Sequence, residues 1–247
     1  MIDKRKTKET YDKEVRIYDS SRATFEKGRF AARERGLLRQ NIRQNIPDEG
    51  RILVVACGTG RHHAFLHNEF GCECIGVDLS TEMLKVARLK ERRTELVCAD
   101  AENLPFRNEV FDAVICSRAL YLFGSKLTFL KEAYSSLKGR GKLMVSTISR
   151  GPLIIRLCII VGLLEPDPAK FPYDSKDLKC MLSSVGLDGI QTRCVVFFAD
   201  GPNGIAPARA NGILSFLPKS ALNLVRFIEE HLSDGRWVMG IGQKPCK

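Results

Sequence analysis

No apolar run in this chain is long enough to span a bilayer. The longest, Leu153 to Leu164, contains Arg156 and falls short of the roughly 20 residues that a membrane-crossing helix needs. Met1 to Lys8 are polar and charged with no apolar segment, so the expectation is no secretory signal and a soluble, cytoplasmic protein. Histidine is scarce, with four in 247 residues. His62, His63 and His67 share one predicted helix, and His63 and His67 have the spacing of a metal pair. No glutamate or third ligand stands where such a pair needs one, so they read as solvated helix histidines, His231 reads as surface, and no metal is expected. Internal repeats and low-complexity tracts are absent, as is the aromatic and basic alternation that stacks single-stranded bases.

Cysteine is plentiful, but its count of nine is odd. Cys57, Cys98, Cys116 and Cys194 lie inside apolar strand-like runs, which predicts small buried hydrophobes in a reducing compartment. Cys72 and Cys74 are the only close pair. In a strand they point to one face without a second pair nearby, which argues against zinc. The net charge of +10 and pI near 9.2 admit nucleic acid, an anionic membrane surface or an acidic substrate. The basic residues spread through Lys4 to Arg43, Arg88 to Arg93 and Lys138 to Lys142, mostly interleaved with acids, and read as a solvated surface. No feature specifies an oligomeric state.

What is present is an apolar run broken by glycines. Arg51-Ile52-Leu53-Val54-Val55-Ala56 has the β-branched, two-faced character of a strand covered on both sides by helices. Cys57-Gly58-Thr59-Gly60 follows, and glycines there let a ligand approach main-chain N–H groups. A dinucleotide fingerprint needs a third glycine where His63 stands, and a phosphate loop needs Lys-Ser/Thr where Arg61-His62 stands, so neither fits. Gly71 to Asp78 reads as a second strand with a carboxylate at its end, able to accept two hydrogen bonds from a ribose diol. Thr94 to Cys98 is a third strand, leading into Ala99-Asp100-Ala101-Glu102-Asn103-Leu104-Pro105-Phe106, and Phe111 to Ser117 a fourth. Their ends converge on one crevice.

In this order and spacing, Cys57-Gly58-Thr59-Gly60, Gly76-Val77-Asp78-Leu79-Ser80, Asp100 to Phe106, Phe111-Asp112 and Leu137 to Leu143 resemble the class I S-adenosylmethionine-dependent methyltransferases. The likeness is to the broad group holding the ubiquinone and menaquinone C-methyltransferases, and it covers residues 50 to 148. It implies S-adenosylmethionine as cofactor, S-adenosylhomocysteine as product, and a cofactor site of Ala56, Cys57, Gly58, Gly60, Asp78, Leu79, Met83, Asp100, Ala101 and Ser117. In that family the carboxylate at Asp100 accepts from the adenine amine, the next backbone N–H faces a ring nitrogen, and Leu79 and Met83 would wall the adenine, with Met83 as a core residue the alternative. Where the family has an acidic residue and a glycine, this chain has Val54 and Ala56. Backbone groups of the loop, or Tyr18, then take the methionine end.

The whole reads as an α/β protein: a Rossmann-like, doubly wound, mostly parallel seven-stranded sheet with N-terminal helices and a helical lid insertion. Residues 1–45 form an N-terminal helical cover; residues 46–247 form the methyltransferase domain, with lid insertions near 150–173 and 200–232. Predicted helices are Arg61 to Phe70, Thr81 to Lys90 with Ser80 as cap, Ser125 to Leu137, Ser175 to Val185 and Lys219 to Leu232. The last three strands are Lys142 to Ile148, Gln191 to Ala199 and Arg236 to Gly242. No catalytic residue is assigned, since in-line methyl transfer can run largely on alignment and desolvation; Tyr18, Tyr121 and Arg118 lie nearest the acceptor side. The expected acceptor is a small, apolar molecule, with the basic N-terminal helices available for peripheral membrane contact. An RNA or protein methyltransferase of the same fold is the alternative, disfavoured because Cys116-Ser117-Arg118-Ala119 stands where an Asn-Pro-Pro-Tyr type motif belongs. A non-catalytic cofactor-binding member is the third reading.

Overall fold

Strands sandwiched between two helical layers need apolar side chains pointing both ways, and this chain provides them. A computed structural model of the protein describes residues 2–27, 29–148, 173–196 and 237–246. Two N-terminal helices, α1 (Lys4–Lys27) and α2 (Arg29–Asn45), precede the alternating core of β1 (Arg51–Val55), α3 (His63–Phe70), β2 (Glu73–Asp78), α4 (Thr81–Lys90), β3 (Glu95–Cys98), β4 (Phe111–Cys116), α5 (Lys126–Ser136) and β5 (Leu137–Ile148). Then come α6 (Ser175–Ser184), β6 (Asp188–Val196) and β7 (Trp237–Gln243). The sheet order is β3-β2-β1-β4-β5-β7-β6, with β1 to β5 parallel and β7 antiparallel to both of its neighbours. The chain reverses its direction of winding between β1 and β4, the place where open α/β sheets bind ligands.

Alternation along β1 divides the core. Leu53 and Val55 join Val77, Val114, Cys116, Leu143, Phe129, Leu130 and Leu182 on the face covered by α5 and α6. Ile52 and Val54 join Cys74, Ile115, Met144, Leu66 and Leu84 on the other face, and there α2 contributes Leu38 and Ile42, one helical turn apart and buried. Burying each such side chain contributes about 1.5–3 kcal/mol. Thus α2 is part of the core layer, whereas α1 runs over the carboxyl ends of the strands, with Ile17 exposed. The expected lid segment Leu153 to Leu164, Arg156 within it, the 200–232 insertion, His231 and the Cys194 side chain lie outside the described residues. No helix among the described residues is long and apolar enough to cross a membrane.

Two expectations are corrected. His62 and His63 are buried, not solvated: His63 packs beneath β2 at Gly76, where a Cβ would come within 2.6 Å of the imidazole. His62 Nε2 and both His63 nitrogens lack hydrogen-bond partners among the described residues. Burial therefore holds both rings neutral, lowering the His62 pKa to about 3, with Arg61 next in effect, and that of His63 to about 4. Of these three histidines, His67 alone stays at the surface, against Arg93 at 3.0 Å. Cys98 is exposed as well, because β3 is the edge strand and is covered less fully than the centre. Cys72 and Cys74 are buried thiols pushed up to about 11 and about 12 by burial.

Candidate functional site

The loop after β1 takes an unusual path. Ala56, Gly58 and Gly60 all have positive φ, at 51°, 55° and 77°. Ala56 thus holds the left-handed conformation that a glycine adopts without strain, at a cost of about 1–2 kcal/mol. Strain of this kind gathers at ligand sites. Gly58 faces open space, with the Tyr18 hydroxyl 3.9 Å from where its Cβ would be. Gly60 faces inward instead: a Cβ there would meet Ala87 Cβ at 3.0 Å and His63 Nδ1 at 3.1 Å. Its glycine serves the packing of the loop on α3 and α4, and it does not line the cavity. Gly60→Val is therefore expected to lower the melting temperature by several degrees, since it adds both backbone strain and a clash; an unchanged melting temperature would contradict this placement.

Asp78 ties the loop to β2. Its Oδ2 accepts from Gly58 N–H at 2.7 Å and its Oδ1 from Ser80 N–H at 2.9 Å. Burial raises its pKa above the ordinary carboxylate value, while the backbone donors pull it down. Ser80 caps α4 as expected, its hydroxyl accepting from Met83 N–H at 3.1 Å.

One cavity lies at the carboxyl ends of β1, β2 and β4. Tyr18, Ala56, Cys57, Gly58, Asp78, Leu79, Met83, Asp100, Ala101 and Ser117 all border it, so every expected site residue except Gly60 does so. Met83 is both core and wall, being 1% exposed. Arg118 joins the lining, whereas Tyr121 packs on the hydrophobic cluster under α2. Arg118 also has positive φ, 59°, and its N–H donates to Ser146 Oγ at 2.7 Å.

The sequence did not foretell how α1 closes the mouth. Lys4 Nζ lies 2.6 Å from Asp100 Oδ2 and 3.0 Å from Glu102 Oε2, and these contacts, the Asp100 hydrogen bond first, raise its pKa. Further along the helix, Asp12 accepts from the Ser80 hydroxyl and Asp19 from the Thr59 hydroxyl at 2.7 Å. Asp100 Oδ1 accepts from Glu102 N–H at 2.9 Å. A ligand amine at Asp100 would therefore share that carboxylate with Lys4. A second unforeseen residue is Glu34 of α2, fully buried behind Arg61 and Ser117. It was one glutamate in a Lys- and Arg-rich stretch, with no local signal to mark it.

A methyltransferase domain model matches residues 53–145 of this chain. A malonyl-(acyl-carrier protein) O-methyltransferase of Priestia megaterium is 30% identical over 158 residues, 61% of this chain and 54% of that protein. An uncharacterised protein of Methanocaldococcus jannaschii is 34% identical over 161 residues, 63% of this chain and 73% of that one. The solved structure of a SAM-dependent methyltransferase from Thermotoga maritima shares the fold, with a TM-score of 0.66 at 22% identity, over 96% of this chain and 99% of that one. The chain spans about half the length of the Priestia relative. It belongs to the class I S-adenosylmethionine-dependent methyltransferase family, and S-adenosylmethionine is its cofactor.

Proposed function

We propose that this cavity is the cofactor site of a methyltransferase acting on a small acceptor with an apolar body. The observation that carries the reading is the convergence of the left-handed loop, Asp78 and Asp100 on one cavity at the switch point of the sheet. The donor set suits the cofactor. The Asp78 carboxylate, already fixed by two backbone N–H groups, is placed to accept from a ribose diol. Leu79 and Met83 supply apolar walls for adenine, and Asp100 with the Ala101 backbone supplies its polar partners. Tyr18, Ala56, Cys57, Gly58 and Ser117 surround the other end.

When bound, S-adenosylmethionine supplies an electrophilic methyl on a sulfonium. Ala119, Leu122 and Phe123 line the same cavity beyond the end of β4, and they support an apolar acceptor by excluding water from a reaction in which the sulfonium's charge is dispersed in the transition state as it passes to the acceptor. The side chains on that wall hold and align, and no general base is assigned. The test is transfer of labelled methyl from the cofactor to a small molecule in an extract of the protein's own cells. Label in a low-molecular-weight product supports the reading; label in RNA or protein, or cofactor binding with no turnover, would overturn it.

Lys4 supplies a smaller prediction. Exposed ion pairs contribute about 0.2–1 kcal/mol, so Lys4→Ala should free Asp100 and tighten cofactor binding by up to about fivefold. Weaker binding by titration would show instead that α1 must stay pinned for the site to form.

A further inference from the structure

Helix α1 has two unlike faces. Its inner face, with Lys4, Lys8, Tyr11 and Tyr18, borders the cavity, and the cations there are matched. Lys4 lies against Asp100 and Glu102, and Lys8 Nζ donates to Asp12 Oδ2 at 2.6 Å. On the opposite side, the helical repeat gathers the exposed residues Arg5, Lys6, Glu9, Lys13, Arg16 and Ile17 into one stripe about 18 Å long. Four cations stand there against one acid, Glu9, and none of the four has an ion-pair partner among the described residues. Asp3, just ahead of the helix, has its Oδ1 engaged by the N–H groups of Arg5 and Lys6 at 2.9 and 3.3 Å. Ile17 is 60% exposed at one margin of the stripe.

Resting on the reading of an apolar acceptor, we infer that the outer face of α1 seats this protein on an anionic lipid surface, with the cavity on the other side of the same helix. Charge complementarity carries the assignment. Unpaired Lys and Arg side chains aligned along a helix are each drawn to a negatively charged leaflet, and their number sets the strength of the attraction. An exposed isoleucine beside them enters the boundary between headgroups and acyl chains, where an apolar side chain leaves water. The face is the convex side of a helix, which lies flat on a surface. Both tyrosines of the helix, Tyr11 and Tyr18, border the cavity instead, so this stripe holds no ring on which a base would stack. An acceptor with an apolar body partitions into such a surface, and docking through α1 holds the mouth of the cavity beside it.

The test is sedimentation of the full chain with vesicles of phosphatidylcholine alone or mixed with phosphatidylserine. The chain should bind the mixed vesicles and not the neutral ones, and high salt should release it. Lys13→Gln combined with Arg16→Gln should lower the partition coefficient by about ten- to thirtyfold, and Ile17→Ser by about three- to tenfold. These side chains point away from the cavity, so S-adenosylhomocysteine affinity by titration should stay within about twofold of wild type, which also reports that the variants are folded. Equal binding to both kinds of vesicle, no binding to either, or binding that the paired substitution leaves unchanged would overturn the inference. So would capture of an RNA oligonucleotide or an acidic polypeptide that anionic vesicles do not displace, since the stripe would then serve that partner. Vesicle binding needs no cofactor, so failure of the wild-type chain to bind S-adenosylhomocysteine would count against the cofactor-site reading alone.

Discussion

Replacing Asp78 with asparagine is expected to remove most cofactor affinity while leaving a folded protein. Its two oxygens accept from Gly58 N–H at 2.7 Å and Ser80 N–H at 2.9 Å, so this carboxylate fixes the loop as well as offering lone pairs to a ribose. An amide has one acceptor oxygen, and its NH2 would face one of those N–H donors. Losing a hydrogen bond to a charged group costs about 1.5–3 kcal/mol, roughly ten- to hundredfold in affinity, and the loop contact adds to that. Calorimetric titration with S-adenosylhomocysteine reads the effect directly, and an unaltered Kd would remove Asp78 from the site. The pH dependence has a definite sign. Burial raises the Asp78 pKa, so binding to the ionised form should weaken on acidification from a pH above the ordinary carboxylate range.

Acid should also destabilise the fold itself through the two buried histidines. Their folded pKa values, about 3 for His62 and about 4 for His63, lie below the 6.5 of an unfolded histidine. Between these limits the unfolded chain binds protons that the folded chain excludes, so this contribution is present above about pH 6.5 and is lost as the pH falls. One pKa unit corresponds to about 1.4 kcal/mol, so going from pH 7 to pH 4.5 should remove about 2–3 kcal/mol for each ring. The urea midpoint should drop steeply over that range, and His63→Leu should flatten the slope by about half. A midpoint insensitive to pH across it would mean that the rings are not held neutral by burial.

These two residue types mark where the sequence was informative and where it was not. Asp78 was legible because a strand's apolar run, its length and the helix after it fix which residue stands at the carboxyl end. Ser80 was legible as a cap for the same local reason, and α4 begins and ends as expected. The histidines were misread because helical spacing identifies a face but not its depth: His63 is buried because Gly76 on the neighbouring strand has no side chain to hold the ring away. Strand β5 begins at Leu137, earlier than the predicted Lys142, because Leu137 pairs with Phe111 and the C-terminal segment extends the edge, with Arg140 N–H donating to Lys244 O at 3.0 Å. Glu34 and Lys4 were illegible for a related reason. Their partners, Arg61 and Asp100, are remote in sequence, and only the packing of α2 on the sheet face and the path of α1 over the strand ends bring them together.

Equilibrium dialysis of the purified chain against labelled S-adenosylmethionine tests the central claim most directly. The account predicts saturation at one molecule per chain, displaced by S-adenosylhomocysteine and unaffected by excess NAD, since the loop lacks the third glycine of a dinucleotide site. Absence of saturable binding, or displacement by NAD as readily as by S-adenosylhomocysteine, would contradict it.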